Sequence, residues 1–199
     1  MNDEIKVDKK RRNLVVATSV VGGAAGLAAA APFVASMWPS ERAKAAGAPV
    51  EADISRLAPG EMAVIEWRGK PVWVIHRTKE MLESLKGVTA RLTDPESRAS
   101  KQPDYAKNET RAQNPEWMVM EGVCTHLGCS PQLKSADAKA EMGADWVGGF
   151  YCPCHGSKFD LAGRVYRGAP APTNLPVPPY TFLSDNTLLI GEDPEKKGA

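Results

Sequence analysis

Two short stretches constrain this chain most strongly: Cys124-Thr125-His126-Leu127-Gly128-Cys129 and Cys152-Pro153-Cys154-His155-Gly156-Ser157. Together they contain all four cysteines and two of the three histidines in the 199 residues. Thiolate and imidazole groups are the side chains that hold transition metals. Each stretch offers one Cys and one His at close spacing, which predicts a metal centre built from two loops. One further cysteine remains in each stretch, Cys129 in the first and Cys154 in the second.

The two stretches resemble the cluster-binding boxes of the Rieske iron–sulfur proteins, in the variant found in cytochrome bc complexes. In a Rieske centre, two His replace two Cys on one iron of a [2Fe–2S] cluster. The resemblance extends over nearly the whole chain. Residue by residue, it implies that the inner iron is bound by Cys124 and Cys152, the outer iron by His126 and His155, and that Cys129 and Cys154 form a disulfide.

Residues beside these ligands also match the family. Ser157 corresponds to a serine that bonds a bridging sulfide, the alternative being an ordinary turn hydroxyl. The high-potential members have a tyrosine two residues later, where this chain has Phe159, so we expect a somewhat lower potential. Leu127 is expected either to contact cytochrome b or to lie in the core. Residues 168–172, Gly-Ala-Pro-Ala-Pro, resemble the family's Pro loop, which shields the cluster; the alternative is a Pro-rich connector.

The resemblance implies a function in electron transfer. The chain would be the iron–sulfur subunit of a ubiquinol–cytochrome c reductase, a proton-translocating oxidoreductase of the bacterial type. His155 would receive a hydrogen bond from quinol, and the electron would pass on to a c-type cytochrome. The expected partners are cytochrome b and the c-type cytochrome of a dimeric bc1 complex. A formal net charge of +1 implies no nucleic acid or other polyanionic partner.

Other readings of the cysteines and histidines are weaker. A zinc ribbon would use four ligands on two loops, but it would not need Cys129 and Cys154. Two plain disulfides would leave the histidines unexplained. Rieske oxygenases and soluble ferredoxins usually lack the additional cysteine pair and a membrane anchor. A membrane-tethered Rieske component of another oxidoreductase is the alternative function.

The N-terminus predicts a membrane anchor. Residues 1–13 are polar and include a basic cluster at residues 9–12, whereas residues 14–38 carry no charge. About 20 apolar residues suffice to span a bilayer as a helix. Pro32 is expected to kink or end this helix. The basic cluster predicts a cytoplasmic N-terminus and a C-terminal domain across the membrane. With the resemblance, this implies a single-pass protein of the bacterial inner membrane with a periplasmic cluster domain.

Arg11-Arg12 resembles a twin-arginine export signal, a route that moves folded proteins. The alternatives are a generic basic flank and a cleaved secretory signal with its site near Ala43-Lys44-Ala45. The apolar run is longer than the core of such signals, so an uncleaved anchor is favoured. Asp3, Glu4 and Asp8 argue against a mitochondrial transit peptide. Residues 39–50 are small and polar, and they read as a linker; in the resembled family this stretch is the hinge.

The remainder, residues 51–199, reads as mainly β, and the resemblance implies an antiparallel sandwich with a cluster-binding subdomain at about residues 117–160. The 16 prolines and 17 glycines favour short strands and loops. Residues 93–116 read as an extended surface insertion, and His76 as a packing or surface residue. A helix is predicted over Lys79–Lys86, with Thr78 as its N-cap and Gly87 as its stop. The predicted strands are Glu61–Trp67, Val72–His76, Trp117–Val123, Trp146–Tyr151, Tyr180–Leu183 and Thr187–Ile190.

Overall fold

A computed structural model describes residues 8–193. The predictions made for residues 1–7 and 194–199 concern parts of the chain outside the described residues. The chain divides into two compact units after residue 45. The first unit contains one long helix, and the second contains the strands that the structure describes and the two Cys/His boxes.

Helix α1 (Lys9–Ser36) has 28 residues and is long and apolar enough to cross a membrane. Asp8 caps it, because its side chain accepts the backbone N–H groups of Lys10 and Arg11. The helix begins five residues before the predicted start of the uncharged segment, so the basic cluster forms its first turns. Pro32 does not end the helix, which continues to Ser36. Proline removes one N–H donor, but the remaining backbone hydrogen bonds let the helix continue for another turn.

The predicted linker, residues 39–50, is partly helical. It contains the short helix α2 (Glu41–Ala46), in which Lys44 Nζ lies 2.6 Å from Glu41 Oε1. It ends where strand β1 (Val50–Asp53) begins. Both charged side chains of the pair are exposed, so this contact contributes at most about 1 kcal/mol.

Over residues 46–193, the second unit contains three antiparallel sheets of three strands each, in the orders β1-β9-β8, β2-β3-β4 and β5-β6-β7. The mainly β class predicted from the sequence is confirmed. The remaining strands are β2 (Met62–Trp67), β3 (Lys70–His76), β4 (Trp117–Glu121), β5 (Gln132–Lys134), β6 (Gly149–Tyr151), β7 (Lys158–Phe159), β8 (Tyr180–Ser184) and β9 (Thr187–Ile190).

The β2-β3-β4 sheet lies in the middle of the domain, because both of its faces are buried. Side chains alternate along β3, so Val72 and Val74 face a core shared with β1, β8 and β9. Trp73 and Ile75 face the opposite core, which contains Phe150 and the first cysteine of each box, Cys124 and Cys152. The Trp73 and Phe150 rings stack with centroids 4.7 Å apart. This stacking fixes the β5-β6-β7 sheet, which flanks the second box, to the central β2-β3-β4 sheet.

The β2–β3 hairpin is tighter than the sequence indicates. Trp67 pairs with Lys70 and Glu66 with Pro71, so the turn consists of Arg68 and Gly69 alone. Both turn residues have positive φ, at 53° and 70°. This is the backbone conformation of the two-residue hairpin turns whose twist matches that of the strands.

Helix α3 (Lys79–Val88) confirms the predicted helix but not its end. Thr78 accepts the N–H of Met81, as expected of an N-cap. Gly87 lies inside the helix, and Val88 beyond it is buried. Burying Val88 contributes more than the roughly 1 kcal/mol that a helical glycine costs.

Residues 93–116 lie mostly at the surface, as predicted, but four of them are buried and anchor the segment in the domain. Arg111 and Ala106 are fully buried, and Ala112 and Ser97 are nearly so. The Arg111 guanidinium donates to Gln102 Oε1, Ser100 Oγ and the carbonyl of Ala162. A polar side chain such as that of Arg111 can be buried when its hydrogen bonds are satisfied, and the composition of a segment alone does not reveal this.

His76 has the packing role predicted for it. Its ring stacks on Trp117 with centroids 4.2 Å apart, and its Nδ1 lies 2.8 Å from the carbonyl oxygen of Leu57. The loop between β5 and β6 carries the four-residue helix α4 (Lys139–Met142), and strand β5 is not among the predicted strands.

Candidate metal centre

The two boxes fold into matching loops. In the first, the N–H of Cys124 donates to the carbonyl of Cys129, and the N–H of Gly128 donates to the carbonyl of Cys124. In the second, Cys152 donates to Ser157 and accepts from Gly156 in the same way. The glycines have φ values of 88° and 79°, a region that side chains rarely allow. Each loop therefore presents its first cysteine and the residues after it in the same way.

Another glycine lets the first loop leave the central sheet. Gly122 follows β4, and its N–H donates to the carbonyl of Pro71. A Cβ at this position would lie 2.2 Å from the Trp73 ring. Any larger residue would displace Trp73, and with it the packing beneath both boxes.

The structure brings all six predicted Cys and His residues together. Cys129 and Cys154 form the disulfide implied by the resemblance, which is thereby confirmed. Cys124 and Cys152 are free thiols, 2% and 1% exposed. Cys152 Sγ lies within 4.8 Å of both disulfide sulfurs. The disulfide joins the two loops beside the free thiols.

The two histidines meet on the outer side of this pair of thiols. The rings of His126 and His155 lie edge to face, with centroids 4.6 Å apart. His155 is exposed and His126 is partly buried. Within the described residues, the buried Nδ1 of His126 has no hydrogen-bond partner. A buried ring nitrogen without a partner is costly unless it binds a ligand such as a metal.

The thiols are held in a way that suits metal binding. Burial raises the pKa of the Cys124 thiol, while the backbone N–H of His126 lowers it; the neighbouring Cys152 raises it further, and the Ser157 hydroxyl opposes this. Two adjacent buried thiolates need a cation between them. The available donor set is two thiols and two imidazoles, which fits a mixed-ligand iron–sulfur cluster and also a tetrahedral zinc ion.

The Pro-rich residues 168–172 lie against both boxes. The N–H of Ala171 donates to Ser157 Oγ over 3.0 Å. Just beyond, the carbonyl of Thr173 accepts the Thr125 hydroxyl over 2.7 Å. Ala171 is buried with the core beneath the cysteines. The role of Thr125 is not predicted from the sequence, although its position between a Cys and a His in the first box is a signal for it.

The neighbouring residues are divided between core and surface. Ser157 and Phe159 are fully buried, and Phe159 pairs with Phe150 across β6 and β7. Leu127 is 72% exposed. The alternative that Leu127 belongs to the core is therefore wrong.

Comparison with known proteins identifies the family. Residues 104–179 match the "Rieske [2Fe-2S] domain", and residues 1–40 match the "Ubiquitinol-cytochrome C reductase Fe-S subunit TAT signal". The second match and the apolar helix α1 together indicate a membrane-anchored bacterial protein.

Similar proteins cover nearly the full length of the chain. It is 58% identical to the ubiquinol–cytochrome c reductase iron–sulfur subunit of Allochromatium vinosum, over 92% of this chain and 89% of that protein. The identities to the subunits of the same name are 44% in Rhodospirillum rubrum, over 92% and 93% of the two chains, and 42% in Bradyrhizobium diazoefficiens, over 92% and 94%. The chain therefore belongs to the family of ubiquinol–cytochrome c reductase iron–sulfur subunits and has their Rieske [2Fe–2S] domain.

Proposed function

We propose that four side chains of the two boxes hold the [2Fe–2S] cluster, and that the buried thiols bind the inner iron and the imidazoles the outer iron. The ligands are Cys124 and Cys152, and His126 and His155. The observation that carries this assignment is the edge-to-face pair of imidazoles, one of them exposed, beside two buried free thiols. The cluster, when bound, supplies reversible one-electron transfer at a potential that the neutral imidazoles raise.

His155 is the residue that meets the substrate. It is the exposed member of the histidine pair, so the hydroxyl group of a quinol can reach its ring. The buried Nδ1 of His126, which has no partner among the described residues, supports Nδ1 as the nitrogen that binds iron. If His155 also binds iron through Nδ1, its Nε2 remains to accept a hydrogen bond. His155 then orients the quinol and holds the proton that quinol oxidation releases at Nε2.

The protein takes an electron from quinol at cytochrome b and passes it to the c-type cytochrome of a dimeric bc1 complex. The exposed Leu127, next to the ligand His126, is the apolar contact with cytochrome b. Residues 39–50 serve as the hinge that lets the domain reach both partners. The family membership of the chain supports these partners.

Export and topology follow from the N-terminus. Arg11-Arg12 directs the folded protein through the twin-arginine route, and α1 remains as a single membrane anchor. The basic residues that begin α1 keep the N-terminus in the cytoplasm of the bacterium. The cluster domain then lies in the periplasm, an oxidising compartment that suits the Cys129–Cys154 disulfide.

The test is His155→Gln in the intact membrane complex. Glutamine cannot replace imidazole as an iron ligand and does not titrate near neutral pH, so quinol–cytochrome c reductase activity is expected to be abolished. His76→Gln is the matched control, because His76 stacks on Trp117 and takes no part in the site; activity is expected to persist. Normal activity of an intact His155→Gln complex would refute the assignment.

A further inference from the structure

A recess of about 560 Å³ in the surface of the second unit carries an excess of positive charge. Its walls come from the segment after α3, the loop before β6, strand β7 and the residues just before the Pro-rich stretch. The charged side chains that line it are those of Arg91, Asp145, Lys158 and Arg167. Three cations close together repel one another, so an anion in the recess would be attracted to it.

The three cations are held by the protein and still have donors left. Lys158 Nζ and Arg167 Nε each donate to a backbone carbonyl, over 2.7 and 2.9 Å. Arg91 Nη1 donates to the carbonyl of Asp145 over 3.0 Å. An ammonium has three donors and a guanidinium has five, so each of these side chains can donate further hydrogen bonds.

The carboxylate of the recess does not neutralise it. Asp145 Oδ2 lies 4.0 Å from Arg91 Nη1, at the limit of an ion pair, and the Asp145 side chain is 91% exposed. An exposed pair at this distance is weak because water screens both charges. The positive charge of Lys158 and Arg167 is therefore left without a carboxylate among the residues that line the recess.

Two buried polar atoms of the lining residues lack a hydrogen-bond partner within residues 8–193: Arg91 Nε and Tyr166 Oη. They belong to neighbouring side chains, because Arg91 Cζ lies 5.1 Å from the centroid of the Tyr166 ring. Burial raises the pKa of Tyr166, although the nearby Arg91 guanidinium lowers it, so the hydroxyl keeps its proton at neutral pH. Buried donors without partners are costly, and a bound acceptor would remove that cost.

The aromatic residues of the recess are fixed in a packed core. Trp146 and Tyr166 are 3% and 9% exposed and pack in one cluster, with ring centroids 6.1 Å apart. Trp146 Nε1 donates to the carbonyl of Ser135 over 3.0 Å. Lys158 Nζ lies 6.0 Å from the centroid of the Trp146 ring. The recess is therefore preformed, which reduces the cost of ordering it when a ligand binds.

We infer that this recess is a binding site for a phosphate group, either that of free phosphate or that of an anionic lipid headgroup. Guanidinium groups suit phosphate because their N–H donors match two of its oxygens at once. The Lys158 ammonium and the Tyr166 hydroxyl supply further donors to the remaining oxygens. The inference goes beyond the proposed function, because none of these residues is a proposed cluster ligand.

The experiment titrates inorganic phosphate into the full-length holoprotein in detergent, with sodium chloride keeping the ionic strength constant. Phosphorus NMR measures binding, and thermal unfolding measures stability. The melting temperature is expected to rise with phosphate concentration, because phosphate binds the folded state. Arg91→Gln and Arg167→Gln are each expected to weaken binding by about tenfold, since each removes a charged donor. Tyr166→Phe, which removes one oxygen, is expected to weaken it less.

The matched control is Arg68→Gln. Arg68 also lies over an aromatic ring, with its Cζ 4.4 Å from the centroid of Trp67, but it does not line the recess. The substitution changes the net charge by the same amount as Arg91→Gln. Phosphate binding is expected to be unchanged.

Nanodiscs of phosphatidylcholine, with and without phosphatidic acid, distinguish the two sources of phosphate. If phosphatidic acid weakens the binding of inorganic phosphate, a lipid headgroup reaches the recess; if it does not, the ligand is a soluble phosphate.

A melting temperature that responds to phosphate no more than to chloride would overturn the inference. So would equal phosphate binding in Arg91→Gln, Arg167→Gln and Arg68→Gln. If the Arg91 and Arg167 variants do not fold, Tyr166→Phe decides, and unchanged phosphate binding in that variant would overturn the inference.

Discussion

The imidazole rings of His126 and His155 lie edge to face, 4.6 Å between centroids and at an interplanar angle of 87°, although they come from different loops. This relationship depends on the matching backbone bonds of the two boxes and on the disulfide that joins them. The fold itself thereby places the two imidazoles side by side, as the proposed binding of one iron requires, which would reduce the cost of ordering them on binding.

Phe159→Tyr is expected to raise the midpoint potential. In the family's high-potential members a tyrosine hydroxyl at this position bonds a ligand sulfur. A hydrogen bond that is about 1 kcal/mol stronger in the reduced state raises a one-electron midpoint by roughly 40 mV. Redox titration followed by EPR measures it. Phe182→Tyr, which adds the same hydroxyl on β8 in the other layer, is the control and should leave the midpoint unchanged. A lower or unchanged midpoint in Phe159→Tyr would contradict the prediction.

Removing the disulfide with Cys129→Ala and Cys154→Ala is expected to destabilise the domain. The bond closes a loop with a sequence separation of 25 residues. Loop-closure entropy then predicts a loss of about 3 kcal/mol in the free energy of unfolding. The loops would also separate more easily, so iron should be lost faster on mild heating. Thermal unfolding and iron content as a function of time test this; an unchanged melting temperature with full iron retention would show that the disulfide is dispensable.

Leu127→Ala is expected to affect docking but not folding. Because the side chain is 72% exposed, its truncation should change the free energy of unfolding by less than about 0.5 kcal/mol. A contact with cytochrome b would appear as a raised KM for quinol in the assembled complex. Leu183→Ala, which truncates another exposed leucine on β8, is the control with unchanged KM. Equal KM values for quinol in both variants would show that Leu127 does not contact cytochrome b.

The chemistry of the site is readable from the sequence because it depends on residue type and spacing. Cys124, His126, Cys152 and His155 stand at fixed offsets within two short loops, and the structure brings them together. The closing hairpin of β8 and β9 and the Thr78 cap are likewise local signals. Features of this kind need no knowledge of distant contacts.

The features that the sequence does not reveal depend on tertiary contacts. Gly87 stays helical because Val88 is buried. The mostly exposed segment 93–116 is anchored in the domain by the buried Arg111, which donates to the carbonyl of Ala162 far along the chain. Asn174 follows the Pro-rich residues 168–172, and its Nδ2 donates to Asp94 and Ser97, about eighty positions away. Propensity and composition carry no information on such partners.

The central claim is that two thiolates and two imidazoles of this chain hold a [2Fe–2S] cluster. It is tested most directly by metal and sulfide analysis combined with EPR of the purified, dithionite-reduced, full-length protein. The account predicts two irons and two acid-labile sulfides per chain, with the rhombic signal of a mixed-ligand cluster that is lost in His155→Gln. Bound zinc in place of iron, or an EPR-silent protein without acid-labile sulfide, would contradict it.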